Sequence, residues 1–295
     1  QKEMPKIIVI GSSNTDMVVK TERFPEPGET IIGGDFFMFP GGKGANQAVA
    51  AARAGGEITF ICAVGDDVFG QNALEGYRDE GINVGAAKIV KDAASGVALI
   101  TVNVEGENEI VVASGTNAKL SPIYVSEVMD ELDNDGMFLT QLETPIETIE
   151  YLARYSKLTD QPLIINPAPA QELSAAILDG LFLITPNETE AKILTGIAVD
   201  DHISMEKAAM ALLDKGVQNV IITLGSRGAF FMNSEEKFLV ASHEVKALDT
   251  TAAGDVFNGV LTVCLAQEMG WRESIAYANR AAALSVTKMG AQGSA

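Results

Sequence analysis

The feature that most constrains this chain is an alternation between two apolar patterns. Short runs that are apolar almost throughout, such as "IIVI" and "VIIT", are separated by longer stretches whose apolar residues recur about every 3.6 positions. A run with no polar side is a strand buried on both faces, and the periodic stretches are the helices that cover it. The chain is therefore expected to be an α/β protein, with a mostly parallel sheet between layers of helices. Strands are predicted at residues 7–10, 58–64, 137–142, 163–166, 181–185 and 220–224. Helices are predicted at 44–54, 67–79, 121–133, 145–157, 187–195, 204–215, 254–269 and 272–288.

Two regions break the alternation. They are 14–40, with "TERFPEPGETIIGGDFFMF", and about 95–115, "SGVALITVNVEGENEIVVASG", where β-branched residues flank "EGEN" as in a hairpin. Neither has a helix to pair with, so together they are expected to form a small antiparallel sheet standing over the strand ends, as a lid or a dimer surface. No low-complexity tract, long linker or repeat divides the 295 residues, and the chain reads as a single domain, 1–295, carrying this lid subdomain.

Composition narrows the function. Lys+Arg 21 against Asp+Glu 40 gives a formal net charge of −19, which opposes nucleic-acid binding by neutralisation of phosphates. An anionic ligand must have a local site. No apolar run approaches the ~18 residues of a membrane helix. "QKEMPK" leads into "IIVIG" without a signal-peptide core, so a cytoplasmic protein with no membrane partner is expected. Cys62 and Cys264 lie in apolar runs and are expected to be buried free thiols, rather than a disulfide or a metal site with His202 and His243.

Four stretches have the makings of chemistry. In "ALDTTAAGDVFNGV" the backbone N–H groups of Ala252, Ala253 and Gly254 fall at or near a helix start, where they lack intrahelical partners and suit an anion. Asp255 in the first turn is favoured as a carboxylate by the helix dipole and is poised to accept a proton, although acids are common in first turns without any catalytic role. In "FPGGKGANQAVAAARAG", Gly41, Gly42 and Gly44 around Lys43 let a ligand approach the backbone at another helix start. This is not a Walker A loop, because Phe37 stands at its first glycine and Gly44 where Ser or Thr should follow. A plain glycine turn, with Lys43 and Asn46 on the surface, is the alternative.

In "ITPNETEAKILTG", Asn187 and Glu190 form a capping box that needs no ligand, or else they face phosphates and the hydrated metal that accompanies a nucleotide. "VIITLGSRGAFF" ends a strand at Thr223 and turns through Gly225 and Gly228, as a nucleotide loop or an ordinary turn would. All four lie beyond a strand or at a helix start, where open α/β sheets bind ligands.

With "GSSNTD", "TQLETP", "NPAPA" and "NRAAALSVTKMGAQ", these stretches closely resemble the ribokinase-like carbohydrate kinase family over essentially the whole chain. The resemblance implies a Rossmann-like central sheet, mostly parallel and flanked by helices, with a small β-sheet lid that often serves as a homodimer interface. It implies ATP-dependent phosphorylation of D-ribose at the 5-hydroxyl. Another sugar or nucleoside (fructose, deoxyribose, adenosine) or a non-catalytic sugar-binding regulator are the alternatives. Carried over by position, Asn14, Asp16, Gly42, Lys43, Asn46 and Glu143 would bind the sugar, a polar set that suits a small polyol better than a nucleobase. Asn187, Thr223, Gly225, Ser226, Arg227, Gly228, Gly254 and Asn279 would line the ATP site, with Glu190 near Mg2+. Ala252, Ala253 and Gly254 would form the anion hole and Asp255 would be the base. A monovalent cation, usually K+, would be held by Asp249, Thr251, Ser285, Lys288, Gly290 and Ser294, mostly through backbone oxygens. Val256 departs from the family's usual threonine.

Overall fold

The continuous apolar runs assemble into one eight-stranded sheet. The computed structural model describes residues 3–132, 135–243, 245, 250, 252–287 and 291–294. From edge to edge the strands are Lys237–Val240, Ala229–Asn233, Asn219–Thr223, Leu183–Ile184, Leu163–Ile165, Met137–Thr140, Lys6–Ile10 and Glu57–Ile61. The last six run parallel, and the first two are added antiparallel at one edge. Alternate side chains enter opposite cores, as the period of a strand requires. Ile8, Ile10, Phe138, Val220 and Ile222 face the helices Pro122–Glu131, Ile146–Thr159, Glu188–Thr195 and His202–Asp214. Ile7, Val9, Leu139 and Ile221 face Lys43–Arg53, Val68–Asp79, Ala253–Ala266 and Trp271–Ser285.

The structure differs from the sequence expectation in several elements. The predicted strand 58–64 is two strands: Glu57–Ile61 stays in the main sheet, while Ala63–Gly65 pairs with Lys88–Val90 in a separate two-stranded ladder. The Cys62 carbonyl between them accepts from the Lys88 amide at 2.8 Å, drawing the chain toward its second partner. The edge hairpin Ala229–Asn233 with Lys237–Val240 was not predicted; its turn is stabilised by Asn233 Oδ1, which accepts from the amides of Glu235 and Glu236 at 2.9 Å each. Both cysteines are buried and free, as expected.

The off-pattern regions form a second sheet in the order Phe36–Gly41, Asn14–Lys20, Gly96–Val102, Asn108–Ala113. Its two outer pairings are antiparallel, but the central pair, Asn14–Lys20 with Gly96–Val102, is parallel, so the sheet is mixed. Each hairpin goes out along one strand and returns along the other, and the two outgoing strands are the neighbours.

Two features of the fold build a crevice. Connections lead from Lys6–Ile10 to Glu57–Ile61 on one side, while Met137–Thr140 lies on the other, so the strand order reverses between Lys6–Ile10 and Met137–Thr140. Ligands of open α/β sheets bind at the carboxyl ends of such a pair. In addition, the helices Lys43–Arg53 and Ala253–Ala266 touch closely. A Cβ on Gly259 would stand 2.6 Å from the Gln47 carbonyl oxygen and 2.8 Å from Ala50 Cβ. This contact carries Asn46 and Gln47 to the helix start that holds Asp255.

Candidate active site

Asp255 sits in the first turn of Ala253–Ala266, and its residue is only 5% exposed. Asn46 Nδ2 donates to its Oδ2 and Gln47 Nε2 to its Oδ1, both at 3.0 Å. Burial pushes its carboxyl above the ordinary range, against the pull of Lys43, Asn46 and Gln47. The helix dipole expected to hold the carboxylate is thus outweighed by desolvation, which makes Asp255 a better proton acceptor. Among the described residues, a Cβ on Gly254 would meet nothing within 4 Å, so none of them fills the space beside this helix start. One of the three expected anion donors is engaged: Ala252 is left-handed (φ 62°) and the Ala253 amide donates to the Thr250 carbonyl at 3.3 Å.

The sugar-set residues gather at the crevice. Glu143, just beyond Met137–Thr140, accepts through Oε1 from Ser12 Oγ and from the Lys43 amide, each at 2.8 Å. Ser12 Oγ accepts in turn from the Gly44 amide at 3.1 Å. Gly44 is glycine because a Cβ would lie 2.4 Å from the Ser12 nitrogen, and Gly42 because its φ is 90°. Asn14 is oriented by Asn117, whose Nδ2 donates to Asn14 Oδ1 at 2.7 Å, leaving the Asn14 NH2 to donate elsewhere. Asn46 Oδ1 is buried and lacks a partner among the described residues, an acceptor suited to a ligand hydroxyl. Lys43 is raised chiefly by Asp255, then by Glu143 and Glu190, so its ammonium is firmly charged.

Asp16 is pushed up to about 6, first by burial and then by Glu143 and Asp255. Because this lies above the ordinary 3.8, ionised Asp16 costs stability, a cost present above about pH 6 and absent below about pH 4. Asp16→Asn is expected to raise the melting temperature by about 2–5 °C at pH 8 and by less at pH 5, and to weaken sugar binding. Equal melting shifts at the two pH values would contradict this electrostatic origin.

The nucleotide set lies along the adjoining strand ends. Asn187 and Glu190 make the full capping box, with both bonds at 2.8 Å, and Asn187 bridges to Thr223. Glu190 is nonetheless raised by burial, with the Asn187 amide and Lys43 lowering it and Asp255 raising it, so it shares the field of the same crevice. Gly225, Ser226 and Arg227 form a tight 3-10 turn closed by Gly228. At φ 101°, a Cβ on Gly228 would strike the Val240 carbonyl oxygen at 2.0 Å, the same oxygen that accepts from Asn279 Nδ2 at 3.0 Å. Asn279 is thereby set against the turn. The Arg227 guanidinium is paired on the surface with Glu188 at 2.6 Å.

The expected cation ligands fall in the last part of the chain. Asp249, Thr251, Lys288 and Gly290 lie outside the described residues. Ser294 ends the short helix Ala291–Ser294, and the Ser285 hydroxyl is turned into its own helix, donating to the Ala282 carbonyl at 2.7 Å. The residues that sequence reasoning missed are Ser12, Gln47, Asn117, Gln141 and Asn166. Four of these five stand inside or beside the motif stretches; Asn117 had no local signal.

Residues 4–295 match the pfkB family carbohydrate kinase. The chain is 43% identical over 288 residues to a ribokinase of Haemophilus influenzae, covering 98% of this chain and 94% of that protein. It is 37% identical over 289 residues to a deoxyribokinase of Salmonella typhi, again covering 98% and 94%. A solved structure of an Arabidopsis thaliana ribokinase complexed with ribose and ATP aligns with a TM-score of 0.94 at 29% identity, covering 99% of this chain and 96% of that one. The chain belongs to the pfkB family of carbohydrate kinases. It is an ATP-dependent sugar kinase, with the mostly parallel sheet, flanking helices and small second sheet of that family's fold.

Proposed function

We propose that this enzyme transfers the γ-phosphoryl group of ATP to the 5-hydroxyl of D-ribose, with Asp255 receiving the hydroxyl proton. The observation that carries this reading is the buried Asp255 carboxylate, held by two carboxamides at 3.0 Å at a helix start whose Gly254 has no described residue within 4 Å of a would-be Cβ. Phosphoryl transfer proceeds through a loose transition state, so alignment and charge stabilisation matter more than nucleophilic push. Asp255 does not deprotonate the alcohol beforehand, since the pKa gap is too wide; it accepts the proton as the oxygen–phosphorus bond forms. Backbone donors at Ala252 and Gly254, with Lys43 nearby, take up charge on the transferring group. Asn14, Asp16, Asn46 and Glu143 hold the sugar, and Gly225, Ser226, Gly228 and Asn279 hold the nucleotide. Arg227, paired with Glu188, joins that site by exchanging its partner.

Among the described residues no three His, Cys, Asp or Glu side chains gather to hold a metal ion. A Mg2+ ion keeps several waters and leans on substrate phosphates, which fits a single buried carboxylate, Glu190; when bound it neutralises phosphate charge. K+ at the loop of Asp249, Thr251, Ser285, Lys288, Gly290 and Ser294 is part of the same reading. So is a lid role for the second sheet, within a single domain. A homodimer through that sheet is supported by Phe36, Met38, Leu99 and Val111, exposed on one of its faces. A cytoplasmic location completes it; among the described residues no helix is long and apolar enough to cross a membrane.

A second reading, 2-deoxyribose as substrate, is favoured by the 37% identity to a deoxyribokinase. ADP release across D-ribose, D-fructose, 2-deoxyribose and adenosine, in potassium and in sodium, separates the two. The fastest release is expected with D-ribose in potassium; identical rates in the two salts would remove the cation from the account.

A further inference from the structure

We propose that Gln47 is a positioning residue for Asp255, with Gln141 and Asn166 fixing the Gln47 amide, so that Asp255 Oδ2 is the oxygen that receives the proton. This rests on the reading of Asp255 as proton acceptor. The stretches "GGKGANQ", "TQLETP" and "NPAPA" each contain a carboxamide with no assigned role in binding sugar or nucleotide: Gln47, Gln141 and Asn166. The fold brings all three together behind Asp255, with Gln47 0%, Gln141 1% and Asn166 7% exposed.

Gln47 Nε2 donates to Asp255 Oδ1 and to Asn166 Oδ1, each at 3.0 Å, and Gln47 Oε1 accepts from Gln141 Nε2 at 2.7 Å. Both hydrogens of the Gln47 amide are therefore used. A flipped amide would set Oε1 against two acceptor oxygens and Nε2 against the Gln141 donor, so one orientation is enforced. Asn166 is oriented in turn, its Nδ2 donating to the Thr185 carbonyl at 3.3 Å. Thr185 Oγ1 donates to Asn258 Oδ1 at 2.6 Å, and Asn258 Nδ2 donates to the Gly254 carbonyl at 2.8 Å. The ring closes at the residue before Asp255.

Three of its members, Gln141, Asn166 and Thr185, stand at the carboxyl ends of three adjacent parallel strands, Met137–Thr140, Leu163–Ile165 and Leu183–Ile184. The sheet thus sets the carboxylate plane from behind. Oδ1 receives its hydrogen bond from inside the protein, whereas Oδ2 shares Asn46 with the crevice, where Asn46 Oδ1 is still unpartnered among the described residues. The other charged groups acting on Asp255 are Lys43, Glu143, Asp16 and Glu190, on other elements, and none is altered by changing Gln47.

The test is single-turnover phosphoryl transfer to D-ribose as a function of pH, with sugar KM measured alongside, for the full chain, Gln47→Leu, Gln47→Glu and Asp255→Asn. Both Gln47 variants are expected to slow transfer about 10- to 100-fold, with sugar KM within about threefold. In Gln47→Glu a second carboxyl beside Oδ1 is expected to move the acid limb of the profile up by about one pH unit or more. A carboxyl beside Oδ1 moves that limb whatever the glutamine does, so the discriminating readout is the plateau rate above it: a merely structural glutamine would lower the melting temperature and leave the plateau at the parent value. Parent plateau rates in folded Gln47 variants, alongside an inactive Asp255→Asn, overturn the positioning role alone. Near-normal transfer in Asp255→Asn overturns the base and the positioning role together. If both Gln47 variants fail to fold, Gln141→Leu decides: a loss of about threefold to tenfold is expected, and a wild-type rate overturns the proposal.

Discussion

Asp255→Asn is expected to lower turnover by about a thousandfold or more, while ATP and sugar bind within a few-fold of the parent enzyme. The substitution preserves shape and removes only the capacity to take a proton. It also replaces a group whose charged form is disfavoured by burial, so the folded protein loses no charge that it was well placed to hold. One carboxylate oxygen becomes an NH2 that meets the Asn46 or Gln47 donor, which costs a hydrogen bond but leaves the crevice filled. Turnover and calorimetric binding, measured on the same preparation, distinguish a lost base from a damaged site. Near-normal turnover would remove Asp255 from the chemistry.

The second large effect is expected at Gly254. A methyl group there meets no atom of the described residues within 4 Å, and alanine is the better helix former, so Gly254→Ala should melt at or slightly above the parent temperature. Phosphoryl transfer should nonetheless fall by about 10²- to 10³-fold, because the methyl occupies the space through which charge reaches the backbone donors. Gly44→Ala is the contrasting case. Its Cβ would lie 2.4 Å from the Ser12 nitrogen and 2.6 Å from the Gly11 carbonyl carbon, so backbone must shift and about 1–3 kcal/mol of stability goes with the activity. A Gly254→Ala enzyme with the parent rate would show that no anion sits at this helix start.

What could be read in advance followed the range of the interactions. Strands such as Lys6–Ile10 and Asn219–Thr223 were legible because burial on both faces leaves an unbroken apolar run. The edge hairpin Ala229–Asn233 with Lys237–Val240 was not, since the apolar "AFF" directly after "GSRG" reads as the tail of a turn. Glycines at Gly42 and Gly228 marked the turns, because positive φ and close backbone approach are local demands. Asp255 illustrates the limit. Its place in a first helical turn was legible, but the local dipole argument missed the burial that raises its pKa, which arises only when Lys43–Arg53 packs on Ala253–Ala266. The amides behind it were illegible for the same reason: Gln47 meets Gln141 across 94 residues of sequence, Asn166 across 119 and Asp255 across 208. Nor did the sequence signal that Ala252 would turn left-handed and leave the Ala253 amide bonded within its own loop, since alanine rarely adopts that conformation.

The central claim is that this crevice phosphorylates D-ribose, and the most direct measurement is kcat/KM for D-ribose against 2-deoxyribose by ADP release in potassium. In the proposed sugar site, with Asn14 and Asn46 buried and Asp16 and Glu143 partly buried, a deoxy sugar would leave one polar group unpaired, so D-ribose is expected to lead by at least about tenfold. An equal or higher value for 2-deoxyribose would contradict the account.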